Sequence, residues 1–155
     1  MVTFHLADAL PPEIVAELAR SCKNETNTKR RRRVQAYLDA GYGSCCLRDR
    51  CIAGMVQGAL VHFDMERYRI FEWVIMPNYV HALLEIFEDF LLCEVLQSWK
   101  SYTSKEANRL LEKFGQFWEP EYFDRFIRNP RHFECAVRYI HENPVRAGLV
   151  SRAEE

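Results

Sequence analysis

The chain has six cysteines but no CxxC pair, no apolar run approaching the length of a membrane span, and no basic segment leading into an apolar one at its start. The first absence excludes the usual zinc spacings, so the cysteines read as reduced thiols that behave as small hydrophobes. The other two exclude a spanning helix and a secretory signal, so the expectation is a cytoplasmic protein with no membrane partner. An excess of charge of either sign is also missing: 21 Lys and Arg stand against 22 Asp and Glu, a net charge of −1. Nothing draws the whole molecule to nucleic acid, and any such binding has to come from a local patch.

Apolar residues are what the chain has in quantity. With 48% hydrophobic and 13% aromatic residues over 155 positions, disorder is excluded, and a single domain spanning 1–155 with a real core is expected. The one dense charge run is Lys29, Arg30, Arg31, Arg32 and Arg33. It reads either as a solvated helix face or as a phosphate-binding patch.

In chain order, VTFHL alternates as a first strand, with His5 a structural histidine within it, and Pro11-Pro12 suits the first turn of a helix. Ile14, Val15, Leu18 and Ala19 follow helical spacing, and Val34, Tyr37 and Leu38 resume it after the polar interval from Ser21 to Thr28. That is two helices or one broken helix, closed by Gly41 and Gly43 before a short strand Ser44–Leu47. Asp49 is placed to cap a helix whose apolar stripe is Ile52, Met55, Val56, Ala59, Leu60 and Phe63. Residues Ile70–Ile86 form two β-rich runs split by Pro77-Asn78, which predicts a central hairpin. Its second strand puts Tyr79, His81, Leu83 and Glu85 on one face.

A helix with Leu92, Val95, Leu96 and Trp99 on its buried side follows, Lys100 lying on its polar side. The loop Gly115–Asp124 holds aromatics that either plug onto the core or stack on bases, both alternatives standing for Trp118 and Tyr122, with Arg125 and Arg128 adding charge beside them. Asn129-Pro130 starts a last helix and Asn143-Pro144 is expected to stop it. Tyr139 and Asn143, four residues apart, share one face of that helix, while His141 points elsewhere. Taken as residues alone, Tyr139 reads as an amphipathic core tyrosine.

MPNYVHALLEI closely resembles the MPNHVH segment of REP-associated tyrosine transposases, which belong to the HUH single-strand DNA endonucleases, named for a His-hydrophobic-His motif. The resemblance extends in order through VTFHLAD, GYGSCCLRD at Gly41–Asp49, SWKSYT at Ser98–Thr103, FWEPEYFDRFIRNPRHF at Phe117–Phe133 and YIHENPVRAGLV at Tyr139–Val150. Such an ordered series is far more specific than any one motif. It implies an α+β fold with a ferredoxin-like, RRM-like antiparallel sheet, helices on one face and a C-terminal helix carrying the nucleophilic tyrosine. It also implies that relatives carry additional residues before the first strand and after Val150.

Carried over by position, Tyr139 matches the nucleophile, His81 the second histidine and Asn143 the amide that helps hold Mg²⁺ or Mn²⁺. Position 79, where the family's first histidine belongs, is Tyr79. A phenol with a pKa of about 10 is neutral at pH 7 and a poor donor to a hard cation. Losing even an outer partner of a metal ligand typically costs on the order of 10–100-fold in affinity or activity, so the expectation is a weakened metal site. Glu72, Glu85 or Tyr79 itself are the candidates to compensate.

The resemblance makes Lys100 a candidate phosphate contact and implies a DNA partner, a hairpin with an adjacent single strand, bound by a monomer in preference to a dimer. Two functions follow: cleavage and rejoining of repetitive palindromic DNA through a 5′-phosphotyrosine, or binding of the same hairpin without cutting. An RNA-recognition module is disfavoured because no glycine-aromatic RNP run occurs on any strand.

Overall fold

In the structure, a computed structural model describing residues 1–21 and 27–152, strand register fixes where the site stands. Strand β1 (Val2–His5) is followed by helices α1 (Pro12–Ser21) and α2 (Asn27–Asp39), then by α3 (Arg50–Val61). The hairpin β2 (Tyr68–Ile75) and β3 (Tyr79–Ile86) precedes α4 (Leu92–Leu110), the short β4 (Phe123–Asp124) and α5 (Pro130–Arg146). The strands form one antiparallel sheet in the order β2-β3-β1-β4, giving the α+β class expected. Cys22 and the rest of the 22–26 interval lie outside the described residues.

β1 pairs with β3 so that Thr3 faces His81 and His5 faces Tyr79, which sets these four side chains on one face. The intervening Val2, Phe4, Val80 and Ala82 enter the opposite face and build the main core with Ile52, Val56 and Leu60 of α3 and Val95, Leu96 and Trp99 of α4. Polar atoms in that core are bonded in series. Trp99 Nε1 donates to Tyr68 Oη at 3.0 Å, and Tyr68 Oη to the Leu60 carbonyl at 2.8 Å. α5 covers the other face through Ala136 and Ile140 against Leu83, with Phe133 edge-on to Phe71.

Local signals read from the sequence account for most boundaries. Asp49 accepts from the backbone of Cys51 and Ile52 to start α3, and Asn129 Oδ1 accepts from His132 N to start α5. Gly43 at φ +83° is obligatory, because a Cβ there would lie 2.3 Å from the Asp8 carbonyl oxygen.

Two expectations need correction. Ser44–Leu47 is not a strand: the chain turns through left-handed Cys45 into a 3₁₀ turn at Cys46–Arg48, with Leu47 buried. Pro144 does not stop α5, which continues to Arg146. A proline removes only its own N–H, and the turn beyond it is still closed by Ala147 N to the Asn143 carbonyl at 3.0 Å. No helix among the described residues is long and apolar enough to cross a membrane.

Candidate active site

Four side chains predicted from sequence meet on the α5 face of the sheet. The imidazole of His81 lies between two phenols, its ring centroid 4.9 Å from that of Tyr79 and 5.3 Å from that of Tyr139. Helical spacing brings Asn143 under Tyr139, and the Asn143 amide is hydrogen-bonded to the Tyr79 hydroxyl. Tyr79, His81 and Asn143 are all buried, whereas Tyr139 is partly open to solvent.

His81 is oriented by Thr3, whose Oγ1 lies 2.7 Å from Nδ1. In the tautomer whose Nδ1–H donates to Thr3, Nε2 carries a free lone pair, and this buried atom has no partner among the described residues. Burial alone pushes the imidazole down to about 3, so the ring stays neutral. A neutral imidazole with an unpaired buried nitrogen, near an amide oxygen on α5, suits a divalent cation. Among the described residues no group of three His, Cys, Asp or Glu forms a metal cluster, so any such site is built from mixed donors.

The depressed His81 gives a pH dependence whose sign is definite. The unfolded chain takes up this proton at its ordinary 6.5 while the folded chain refuses it until about 3. Stability is therefore complete above 6.5 and lost as the pH falls toward 3, with a limiting slope of about 1.4 kcal/mol per pH unit. Urea midpoints measured from pH 7 to 4 are expected to fall less steeply in His81→Gln than in the wild type.

Tyr79 is bound more tightly than a spectator phenol. Its hydroxyl donates to Asp39 Oδ1 at 2.6 Å, and burial, followed by that bond, drives its pKa upward. It is thus a neutral phenol that fills the position where the resemblance places a histidine. Burial also raises the Tyr139 hydroxyl, opposed by the Asn143 amide beside it and by the guanidinium of Arg146, whose Cζ is 5.4 Å from the ring centroid.

Other candidates fall elsewhere. Glu72 is occupied by His141, whose Nε2 is 3.0 Å from its carboxylate, and Glu85 is exposed on the strand. Lys29, Arg31 and Arg32 are exposed, Arg31 donating to the Asp124 carbonyl at 3.0 Å and Arg33 pairing with Glu17 at 2.7 Å. Five consecutive helical residues pass around the full circumference, at 3.6 per turn, so Lys29–Arg33 is not one patch on one face.

Trp118 resolves to the plugging alternative: it is 4% exposed, and its indole donates to Thr103 Oγ1 at 2.8 Å. Tyr122 is half-buried beside the Lys100 ammonium, and Arg125 and Arg128 are exposed. The Lys100 ammonium donates to the carbonyls of Glu119, Pro120 and Glu121 at 2.8–3.1 Å, pinning the aromatic loop to α4. Lys100→Met is expected to cost about 1–3 kcal/mol, read from thermal unfolding.

Three residues near the cluster or beside the cations escaped the sequence reading. Asp39 reaches Tyr79 from 40 positions away, and no local pattern signals that contact. Arg146 could have been found, since it lies seven residues after Tyr139 on the same helical stripe. Phe126, 80% exposed between Arg125 and Arg128, is an apolar ring in a cationic setting and could have been found in the same way.

Comparison with known proteins gives the chain relatives. Residues 49–143 match the family model described as "Transposase IS200 like". A REP-associated tyrosine transposase of Escherichia coli (strain K12) is 25% identical over 105 residues, 65% of this chain and 59% of that protein, so the match spans less than two thirds of that relative. A solved structure described as a REP-associated tyrosine transposase bound to a REP hairpin superposes with a TM-score of 0.62 over 98% of this chain and 69% of that one. At 16% identity this last likeness speaks for the fold. With more than half of its length matched by the family model, and with the sheet and C-terminal helix arranged as that resemblance requires, the chain belongs to the IS200-like transposase family.

Proposed function

We propose that this chain cleaves and rejoins single-stranded DNA next to a hairpin of the REP kind, with Tyr139 as nucleophile. The observation that supports it most is the meeting of Tyr139, His81 and Asn143 in one cluster, from a helix and a strand 58 residues or more apart in sequence. The Tyr139 oxygen would bond to phosphorus as the P–O3′ bond breaks, leaving a 5′-phosphotyrosine and a free 3′-hydroxyl. The phenolic proton departs from Tyr139, and the leaving 3′ oxygen gains one. The Asn143 amide holds the Tyr139 side chain in line, and the Arg146 guanidinium offers positive charge beside the reacting hydroxyl. Mg²⁺ or Mn²⁺ held by His81 and Asn143, with Tyr79 at the third position, would draw off negative charge from the phosphate. The test is incubation with a hairpin oligonucleotide bearing a flanking single strand and Mn²⁺, which should yield a covalent adduct that survives denaturation.

One observation favours a second reading, a binding module that holds the hairpin without cutting. Tyr79 is a fully buried phenol locked to Asp39 where a metal-binding imidazole is expected. Under that reading hairpin affinity is unchanged in Tyr139→Phe and no adduct forms. In both readings the exposed cations Lys29 and Arg32, three residues apart and so on one side of α2, contact phosphates. Changing both to Gln is expected to make the slope of log K against log salt shallower by roughly 1–2, at about 0.7–0.9 per phosphate contact, measured by fluorescence anisotropy.

A further inference from the structure

We propose that Phe126 is a stacking platform for an unpaired base of single-stranded DNA, with Arg125 and Arg128 on the neighbouring phosphates. The proposal rests on the reading that this chain binds DNA with a single-stranded portion, and it adds a place where that strand is held. Phe126 is 80% exposed, whereas every other phenylalanine except Phe114 is at least partly buried. The segment that carries it is tied down on both sides of the ring. Arg125 N donates to the Met1 carbonyl at 2.8 Å, beside the edge of the sheet, and Ile127 packs inward on the cluster of Leu83, Ala136 and Ile140. A fixed apolar ring in water has an unfavourable place unless something covers it.

The charge beside the ring says what that cover is. From Arg125 to His132 the chain has three arginines and no acid. Arg125, Arg128 and Arg131 are exposed, and among the described residues none of them is in an ion pair, whereas Arg33 and Arg109 each meet a glutamate. Two of the three lie close together. Nδ1 of His132 accepts from Arg128 N at 3.4 Å, and after partial burial it is the charges of Arg125 and Arg128 that hold this imidazole below its ordinary range. A second basic segment arrives from α2, where Arg31 donates to the Asp124 carbonyl at 3.0 Å. Guanidinium groups without carboxylate partners keep their donors for phosphate oxygens, and an aromatic face accepts any base. A duplex hides those base faces within its stack, so the ring selects single strand. Phe114 is the contrast: Glu112 and Lys113 precede it and Gly115 and Gln116 follow, so its surroundings carry no net charge. Tyr139 lies nine residues beyond Pro130 on α5, about 14 Å at 1.5 Å per residue, close enough for one strand to reach both.

The experiment measures binding of a short fluorescein-labelled oligothymidylate to the full chain by anisotropy, beside a strand of equal length made of abasic residues. The wild type is expected to prefer the oligothymidylate. Phe126→Ala should weaken that binding by about 5–150-fold and leave the abasic strand, which has phosphates but no bases, bound as before. Because the ring is exposed, its removal leaves the fold in place. Phe126→Trp keeps an aromatic face and should bind oligothymidylate at least as tightly as the wild type, and Phe114→Ala should bind it equally well. Arg125→Gln combined with Arg128→Gln should weaken both strands and make the salt slope shallower by roughly 1–2, at about 0.7 per phosphate. An unaltered oligothymidylate affinity in Phe126→Ala, an equal loss on the abasic strand, or a loss in Phe126→Trp that matches alanine would each overturn the proposal. So would a wild type that binds the two strands alike. Binding that depends on Phe126 with no DNA adduct would sink the cleavage reading alone, whereas adduct formation with binding indifferent to Phe126 would sink the platform alone.

Discussion

Tyr139→Phe is expected to abolish adduct formation, a loss of at least about 10³-fold, while leaving hairpin affinity and folding almost unaltered. The ring stays, so its packing 5.3 Å from His81 is kept, and only the hydroxyl beside Asn143 is lost. Removing the oxygen takes one partner from the buried Asn143 amide, whose oxygen stays bonded to Tyr79, a cost of about 1 kcal/mol that leaves the fold intact. Rate of adduct formation on a hairpin oligonucleotide, set beside anisotropy binding curves, gives both quantities. An adduct at the wild-type rate in Tyr139→Phe would remove the assigned nucleophile.

Tyr79→His is expected to move activity and stability in opposite directions. An imidazole there offers the donor that a neutral phenol does not, and adduct formation with Mn²⁺ should rise by about 10–100-fold. The cost falls on the fold. Tyr79 is fully buried and its hydroxyl bonds Asp39 and Asn143, so a smaller ring leaves space and loses those bonds, for a destabilisation of about 1–3 kcal/mol in urea melts. A variant with higher activity and lower stability is the familiar trade at a functional site. Unchanged adduct formation would mean that position 79 does not limit the chemistry.

Much of the scaffold could be read from residues that act locally. Asp49 and Asn129 cap their helices as expected, the Pro77-Asn78 break sits between β2 and β3, and Tyr139 and Asn143 share a helical face. The strand at Ser44–Leu47 failed because its backbone is set by tertiary contact: Ser44 N donates to the Asp8 carboxylate at 2.8 Å, and Leu47 N to the Pro77 carbonyl. Trp118 gave no local sign of its fate, since an aromatic in a loop can cap a core or face solvent, and its hydrogen bond to Thr103 decides the matter. Lys100 is similar, its charge absorbed by three carbonyls of a loop about 20 residues away. Asp39 is the hardest case, because a carboxylate ending a helix ordinarily lies in water and only the docking of α2 beside Tyr79 gives it a role.

The central claim is that the closing helix delivers a tyrosine to a cation-binding pocket beside β3, and mapping the modified residue tests it most directly. Adduct formed with Mn²⁺ on a hairpin oligonucleotide, purified under denaturing conditions, digested with trypsin and sequenced by mass spectrometry, should carry the nucleotide on Tyr139. Nucleotide found on Tyr79 or on any other residue, or an adduct equally abundant in chelator, would contradict the account.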